Sequence, residues 1–448
     1  MATIPMDMDR TEKQVSFGYM LPIISASTLG TVIEWYDFFF YSFLAATVFP
    51  VVFFPRLNPF AGIIASFTTN FVGFAARPLG AAFFGWFGDR TGRKSTLVTT
   101  LLLIGISTML MGVLPGYATL GIVAPILLAA LRFMQGVGVG GEWGGSVLLA
   151  LEYGDNRHRG FWTSWPQLGV PIGLALAALS VLLFQNLYPG VAFQSVGWRM
   201  PFLLSATLLL VGLYIRLRLL ETPPFIKLKM ERQESKNPLL EVLRFNWCEI
   251  LLSVLLRSGE QAPFYIFTTF VLSYGVAVLK LDQTLFYIGL VLTASVSIIS
   301  MPTFSALSDR VGRKRWYLCG TLVMAVFVFP YFLLLNTANP LLIILALILS
   351  LGICHAWLYG PQAALIAERF GTRIRYTGAS LGYQLASITA GGPAPIVATY
   401  LLANHTHLVP GIPASMLIAI YLAGMSLVSL FAVLFLKEYS GKAPAQDR

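Results

Sequence analysis

Gly85-Trp86-Phe87-Gly88-Asp89-Arg90-Thr91-Gly92-Arg93-Lys94 packs charge and glycine between two long apolar segments. It recurs as Ser305-Ala306-Leu307-Ser308-Asp309-Arg310-Val311-Gly312-Arg313-Lys314, with the D-R-x-G-R-K core kept and Asp309 standing 220 residues after Asp89. That offset is about half of the 448 residues, so the sequence reads as two homologous halves. Asp89, Arg90, Arg93 and Lys94 are costly inside hydrocarbon, so the stretch marks a tight turn on one membrane face. Gly92 is free to take positive φ and Gly85 lets two helices approach closely; Ser305 in the place of Gly85 predicts looser packing in the second copy.

Composition bounds the answer. Hydrophobic residues make up 56% of the chain and charged residues 11%, against about a quarter charged in soluble domains. The chain is therefore an integral membrane protein. The first apolar segment, from Leu21, is too long and too polar in its middle for a cleaved signal peptide. Cys248, Cys319 and Cys354 are scattered, and no C-x-x-C or His-rich spacing suggests a metal or redox centre, so no metal and no cofactor are expected.

The net charge of +10 could suggest nucleic acid, but its distribution is topological. Of 30 Lys and Arg residues, 24 fall in the two tails, the central linker and alternate connections, which the positive-inside rule assigns to the cytoplasm. The opposite connections hold only Arg56, Lys280 and, at a helix mouth, Arg199. Both termini are expected in the cytoplasm, with no nucleic-acid partner.

A helical span needs about 20 apolar residues. Twelve such stretches are expected near 21–46, 60–87, 95–114, 119–151, 160–187, 199–219, 248–277, 283–307, 316–335, 340–367, 376–402 and 413–436. The fold class is thus all-α integral membrane, with two pseudo-symmetric six-helix bundles at 1–219 and 247–448 joined by a polar linker at 220–246.

Several charges stand inside these spans. Glu34 and Asp37, beside Tyr36, lie three residues apart on one face of the first, where a carboxylate must pair, face water or take up a proton. Arg77 is buried eight residues before Gly85, about 12 Å from the turn at 1.5 Å per residue. It keeps its charge and needs a protein carboxylate or an anionic ligand. In the fourth span Gly136, Gly140 and Gly144 form a small-residue stripe along which another helix can pack. Arg132, Gln135, Glu142 and Trp143 accompany it, with Gln135, Gly138 and Glu142 on a different face. In the seventh span Arg257 and Glu260, three apart, can pair with each other or face a ligand, and Pro263 predicts a bend. His355, Trp357 and Tyr359 in the tenth span, and Tyr383 and Gln384 in the eleventh, are polar or aromatic; such residues more often pack than react.

The D-R-x-G-R-K turns, and R-x-x-Q-G-x-G from Arg132 to Gly138, resemble motifs of the major facilitator superfamily. Glu34-Trp35-Tyr36-Asp37, Arg77-Pro78-Leu79-Gly80, Glu142-Trp143-Gly144-Gly145 and the run Arg375 to Gln384 narrow the resemblance to its metabolite:proton symporter family. Members include permeases for shikimate, alpha-ketoglutarate, citrate and proline or betaine. The resemblance implies a monomeric, multi-pass transporter of the bacterial inner membrane, whose partners are a small organic-acid substrate, protons and the lipid bilayer. It further implies substrate contacts among Arg77, Arg132, Arg257, Tyr36, Trp143, Gln135, Tyr383 and Gln384, and proton coupling through Asp37 or Glu142, then Glu34 or Glu260. Gating would fall to Gly85, Asp89, Arg90, Gly92 and Arg93, with Glu152, Arg157 and Arg159, and to their counterparts Asp309, Arg310, Arg313, Glu368 and Arg375. Asp89 is expected to gather Glu152 with Arg157 or Arg159.

Other classes fit less well. An enzyme would need a nucleophile with its base or a metal cluster, and neither is visible. A zwitterionic osmolyte such as proline or betaine is the alternative cargo; drug efflux gives little reason for three buried arginines. A channel gives little reason for duplicated turns suited to gating between two states.

Overall fold

Because nearly every span is apolar on all sides, tertiary packing and not amphipathic patterning decides which residues face inward. The computed structural model describes residues 16–217 and 238–437, apart from the side chains of Asp89, Arg93, Leu208, Ile215 and Arg216; these residues are helical without a strand. In chain order the spans are α1 (Phe17–Thr47), α2 (Pro59–Gly88), α3 (Lys94–Val113), α4 (Val123–Tyr153), α5 (Arg159–Leu187) and α6 (Gly197–Tyr214). Next comes α7, which runs as Trp247–Tyr265, Ile266–Phe270 and Val271–Ala277. The remaining spans are α8 (Gln283–Val311), α9 (Arg313–Asn336), α10 (Pro340–Ala367), α11 (Arg375–Leu408) and α12 (Ala414–Phe435). All but α7 are long and apolar enough by composition to cross a bilayer. α7 carries Glu249, Arg257 and Glu260, which dilute its apolar character. Of the linker, the described part is a short helix, Pro238–Phe245, that leads into α7; the rest, with most of both tails, lies outside the described residues.

α2 packs on α4, α3 on α4 and α6, and α1 on α5; later in the chain α12 packs on α7 and α9, and α10 on α8. The two sets meet chiefly where α2 touches α11 and α5 touches α8. Gly92 and Gly312 end the basic turns with φ of 113° and 99°, the conformations for which glycine is suited.

The glycine stripe of α4 does what its spacing predicts. A Cβ on Gly136 would fall onto the carbonyl oxygen of Gly73, and one on Gly140 onto that of Arg77; in return, a Cβ on Gly80 would fall onto the carbonyl of Val137. Helices can approach to backbone contact only where side chains are absent. Gly144 carries the stripe on to Ser380 and Tyr376 of α11. Since α4 rests on the carbonyl of Arg77 itself, this packing fixes where that arginine stands.

At the first basic turn a Cβ on Gly85 would lie 2.9 Å from Thr377 Cα of α11. In the second copy the glycine has changed sides. Ser305 is fully buried, and room is made by Gly160 and Gly360, whose Cβ atoms would lie 3.0 Å from its carbonyl and 2.6 Å from its hydroxyl. The looser packing expected at Ser305 is therefore absent.

α7, α10 and α11 each contain a π turn, at Ile266–Phe270, Ile348–His355 and Ser387–Gly391. Such wide turns are rare and concentrate at functional sites. The first follows Pro263 by three residues, at the expected disturbance of α7.

Candidate functional site

Arg77 is 2% exposed and surrounded by rings. Its guanidinium lies 4.6 Å from the centroid of Phe74, 4.7 Å from Phe38 and 5.8 Å from Trp35, contacts that stabilise a cation only modestly. Among the described residues no carboxylate or carbonyl accepts a hydrogen bond from it. Tyr265 of α7, stacked edge-on to Phe74 at 4.9 Å and Phe38 at 5.7 Å, is close enough to feel its charge. The Tyr265 hydroxyl lies within loose reach of the Arg77 guanidinium and has no other hydrogen-bond partner. A buried cation without an acceptor is costly unless a ligand supplies one.

Arg132 is differently placed. It donates to Asn70 Oδ1 at 2.5 Å and to Gln135 Oε1, and its guanidinium lies 4.7 Å from the Phe38 ring centroid and 4.1 Å from that of Tyr41. Gln135 in turn donates to Thr108, so the two terminal nitrogens of Arg132 find neutral acceptors within the first half while its Nε has no partner.

The carboxylates also part company. Asp37 is 1% exposed and neither of its oxygens has a hydrogen-bond partner; Thr108 of α3, Ser205 of α6 and Arg132 are its polar neighbours. It points into the first bundle. Glu142 accepts from the hydroxyls of Thr100 at 2.9 Å and Ser146 at 3.3 Å. Glu34 is buried, with one oxygen unpartnered. Tyr36 meets Ser180 at 3.2 Å and Pro201, and so faces α5 and α6, away from α7 to α12.

For Arg257 and Glu260 the structure selects the self-paired alternative. Their charged groups are 3.5 Å apart, and Arg257 also donates to Gln362 Oε1 at 3.1 Å and to the Tyr383 carbonyl. Glu260 meets His355 Nε2 at 3.0 Å and accepts from Gln362 at 3.2 Å. The network gives Arg257 a carboxylate and two carbonyl acceptors from the protein itself, so its charge is balanced without a ligand.

Between this network and the basic face, Trp143 stacks on Tyr383 with centroids 3.6 Å apart. Trp143 donates to Gln167 at 3.0 Å, Gln167 to the Tyr359 carbonyl at 3.2 Å, and Gln384 to the Val139 carbonyl at 3.3 Å. The last two bonds, with the Trp143–Tyr383 stack, cross between the halves.

At the basic face, Asp309 accepts from the backbone N–H of Gly160 at 2.9 Å and of Phe161 at 3.0 Å. A carboxylate of one half thereby caps the N-terminus of α5 in the other, which the helix dipole favours. Arg313 holds Asp309 at 2.7 Å and Glu368 at 2.6 Å; Arg159 approaches Glu368 at 3.6 Å, and Arg375 approaches Glu152 at 4.0 Å. Arg159 and Glu152 thus reach across the seam to partners the sequence reading did not give them. Arg157 is exposed, and its backbone N–H donates to Asp155 at 2.9 Å. Arg90 is exposed over Trp86, and Arg310 is exposed; the side chains of Asp89 and Arg93 lie outside the described residues. Burial pushes the Glu368 carboxyl above the ordinary glutamate value, against the pull of Arg313 and Arg159.

Asn70, Gln261, Phe38, Phe74, Tyr265, His355 and Gln362 were not among the expected site residues. Asn70 and Gln261 are polar residues in apolar spans, a signal that could have flagged them; the rings carry none, being common packing.

The family model of the Major Facilitator Superfamily matches residues 15–391. The chain is 38% identical to the inner membrane metabolite transport protein YhjE of Escherichia coli, covering 96% of this chain and 97% of that one. It is 38% identical to the shikimate transporter of Escherichia coli, with 92% and 93% covered. It is 33% identical to the glycine betaine/proline/ectoine/pipecolic acid transporter OusA of Dickeya dadantii, with 95% and 85% covered. A solved structure of the proton:xylose symporter XylE matches with a TM-score of 0.73 over 95% of this chain and 98% of that one; at 19% identity this is a likeness of fold.

Proposed function

This chain belongs to the major facilitator superfamily and is a membrane transporter, not an enzyme, and from that premise we propose proton-coupled uptake of a small organic acid by alternating access. The moving bodies are residues 1–219 and 247–448 joined by 220–246, with the basic face and both termini in the cytoplasm of a bacterial inner membrane and the monomer as the working unit. The observation that carries the reading is Arg77: a buried, permanently charged fork with no carboxylate or carbonyl acceptor among the described residues, where α2 faces α7 and α11. A substrate carboxylate offers two oxygens that such a fork binds at once. The rings around it already face a guanidinium, which leaves less for a quaternary ammonium and places the betaine-like reading second.

Bringing an anion beside Arg77 and Arg132 calls for a proton to travel with it, and Asp37 is the favoured carrier because neither oxygen has a donor; Glu142, Glu34 and Glu260 follow. One pH unit is worth about 1.4 kcal/mol, or about tenfold accumulation per coupled proton. In proteoliposomes with an inside-alkaline gradient of about one unit, Asp37→Asn is expected to bring accumulation down to about the equilibrium level while counterflow exchange persists. Accumulation by Asp37→Asn equal to that of the parent would remove Asp37 from the coupling path, and parent accumulation indifferent to the gradient would end the proton-coupled reading.

The network around Asp309, Arg313, Glu368 and Arg159 is the cytoplasmic latch in this reading. The Glu368 carboxyl is raised where it is buried in the closed face, so the closed form binds its proton more tightly than an open, hydrated form would. Acidifying the cytoplasmic side therefore favours closure, and the effect fades as pH rises above the raised value. Glu368→Gln is expected to flatten this dependence, read as the pH profile of the distance between spin labels on the two halves; an unchanged profile would assign the dependence elsewhere.

A further inference from the structure

The two basic turns serve as controls for one another. Lys94 Nζ donates to the carbonyl of Leu217 at 2.9 Å, and Lys314 Nζ to that of Leu434 at 2.8 Å. Each lysine ties its turn to the end of the last helix of its own half, so this part of the motif is structural and occurs twice. The second copy adds cations that the first lacks or covers. Arg90 lies over Trp86 at 4.8 Å, whereas Arg310 has Ala306 in the corresponding place. Arg315 takes the position of Ser95, whose hydroxyl meets Thr91 at 3.1 Å and the Gly92 carbonyl at 3.2 Å. Arg310 and Arg315 are exposed, and among the described residues neither makes an ion pair, hydrogen bond or ring contact.

Both arginines border one cavity. It measures about 740 Å³ and is lined by Asp309, Arg310, Lys314, Arg315, Leu318 and Cys319, within the range of about 300–1,000 Å³ usual for ligand sites. The acid in its wall is already engaged, since Asp309 is held by Arg313 and by the N–H groups of Gly160 and Phe161. The charge left over is that of two arginines. Beside them the wall is apolar. Arg315, Leu318 and Cys319 stand at i, i+3 and i+4 of α9 and so share a face, and Val311, also in the wall, is 51% exposed.

We infer that this cavity takes the headgroup of an anionic phospholipid, with the phosphate between Arg310 and Arg315 and the chains along Leu318 and Cys319. An arginine fork matches phosphate oxygens in pairs, and cations at the end of a membrane span attract anionic lipid. The place is such an end: α8 stops at Val311, α9 starts at Arg313, and Leu434 and Phe435 of α12, the segment that Lys314 grips, are exposed apolar residues. A soluble anion would answer the arginines and leave the apolar wall in water. An amphiphile answers both.

Cys319 reports on the site because it is exposed and forms part of the wall; Cys248, exposed at the start of α7 and outside the lining, is the internal standard. The purified full chain in uncharged detergent is titrated with phosphatidylglycerol, phosphatidylcholine or inorganic phosphate. Labelling of Cys319 by a neutral maleimide is then taken relative to Cys248, which cancels general effects of micelle charge. Phosphatidylglycerol is expected to protect Cys319 at roughly 30-fold lower concentration than phosphatidylcholine, the preference two arginines at a lipid surface imply, and inorganic phosphate not to protect it. Arg310→Gln with Arg315→Gln is expected to abolish the preference with the melting temperature unchanged. Equal protection by the two lipids, protection by phosphate alone, or a preference that survives in the double variant would overturn the inference. Slow labelling in every arm, relieved by removing residues 438–448, would give the cavity to the chain's own tail and overturn it as well.

Discussion

Arg77→Gln is expected to weaken carboxylate binding by about 2–4 kcal/mol, roughly 30- to 1,000-fold in Kd, with no loss of thermal stability. Glutamine keeps a polar donor on a shorter stem but removes the charge and the fork. The stability half of the prediction separates ligand binding from architecture. Were Arg77 a structural cation, its removal would strand a buried carboxylate and cost about 3–5 kcal/mol. No described carboxylate depends on it, and the rings of Trp35, Phe38 and Phe74 can close over an uncharged side chain. Arg77→Lys should fall between, because an ammonium keeps charge without bidentate geometry. Calorimetry and a melting curve on the same preparation decide the matter: an unchanged Kd removes Arg77 from the site, and a lowered melting temperature makes it structural.

The second large effect is expected at a residue that touches no substrate. Gly140→Val puts three carbon atoms where the Arg77 carbonyl already lies, so α4 must retreat from α2. Overpacking of this kind typically costs about 1–3 kcal/mol, and a backbone clash belongs at the upper end or beyond. The same displacement moves Arg77, so affinity should fall together with melting temperature. Gly424→Val in α12, where an added Cβ meets nothing within 4 Å, serves as the silent comparison. Equal melting temperatures for the two variants would mean that the helices are not held at backbone distance.

What could be read in the chain before folding was whatever depends on near neighbours. The positive φ of Gly92 and Gly312, the stripe of Gly136 and Gly140, and the disturbed turn after Pro263 all follow from steric rules acting within a few residues. The arginines show the limit. Arg77 and Arg132 are equivalent as buried charges in a sequence, and Asn70, 62 residues away from Arg132, makes the difference. Arg257 and Glu260 could pair or part; His355 and Gln362, about 100 residues further on, complete the pair. Tyr36 and Asp37 were placed correctly along α1, but which way each turns depends on α3, α5 and α6. A helix apolar all round gives no periodic signal from which to foresee that rotation.

The three π turns of α7, α10 and α11 have no counterpart among the described residues of α1 to α6. α2 and α4 of the first bundle meet at glycine-to-carbonyl contact, whereas each wide turn of the second holds a surplus residue that can migrate along its helix without breaking the ladder. If the two halves move against one another as proposed, the give is expected in the half that holds the wide turns, and mutations that relieve a π turn should slow transport while leaving the resting molecule firmer than before.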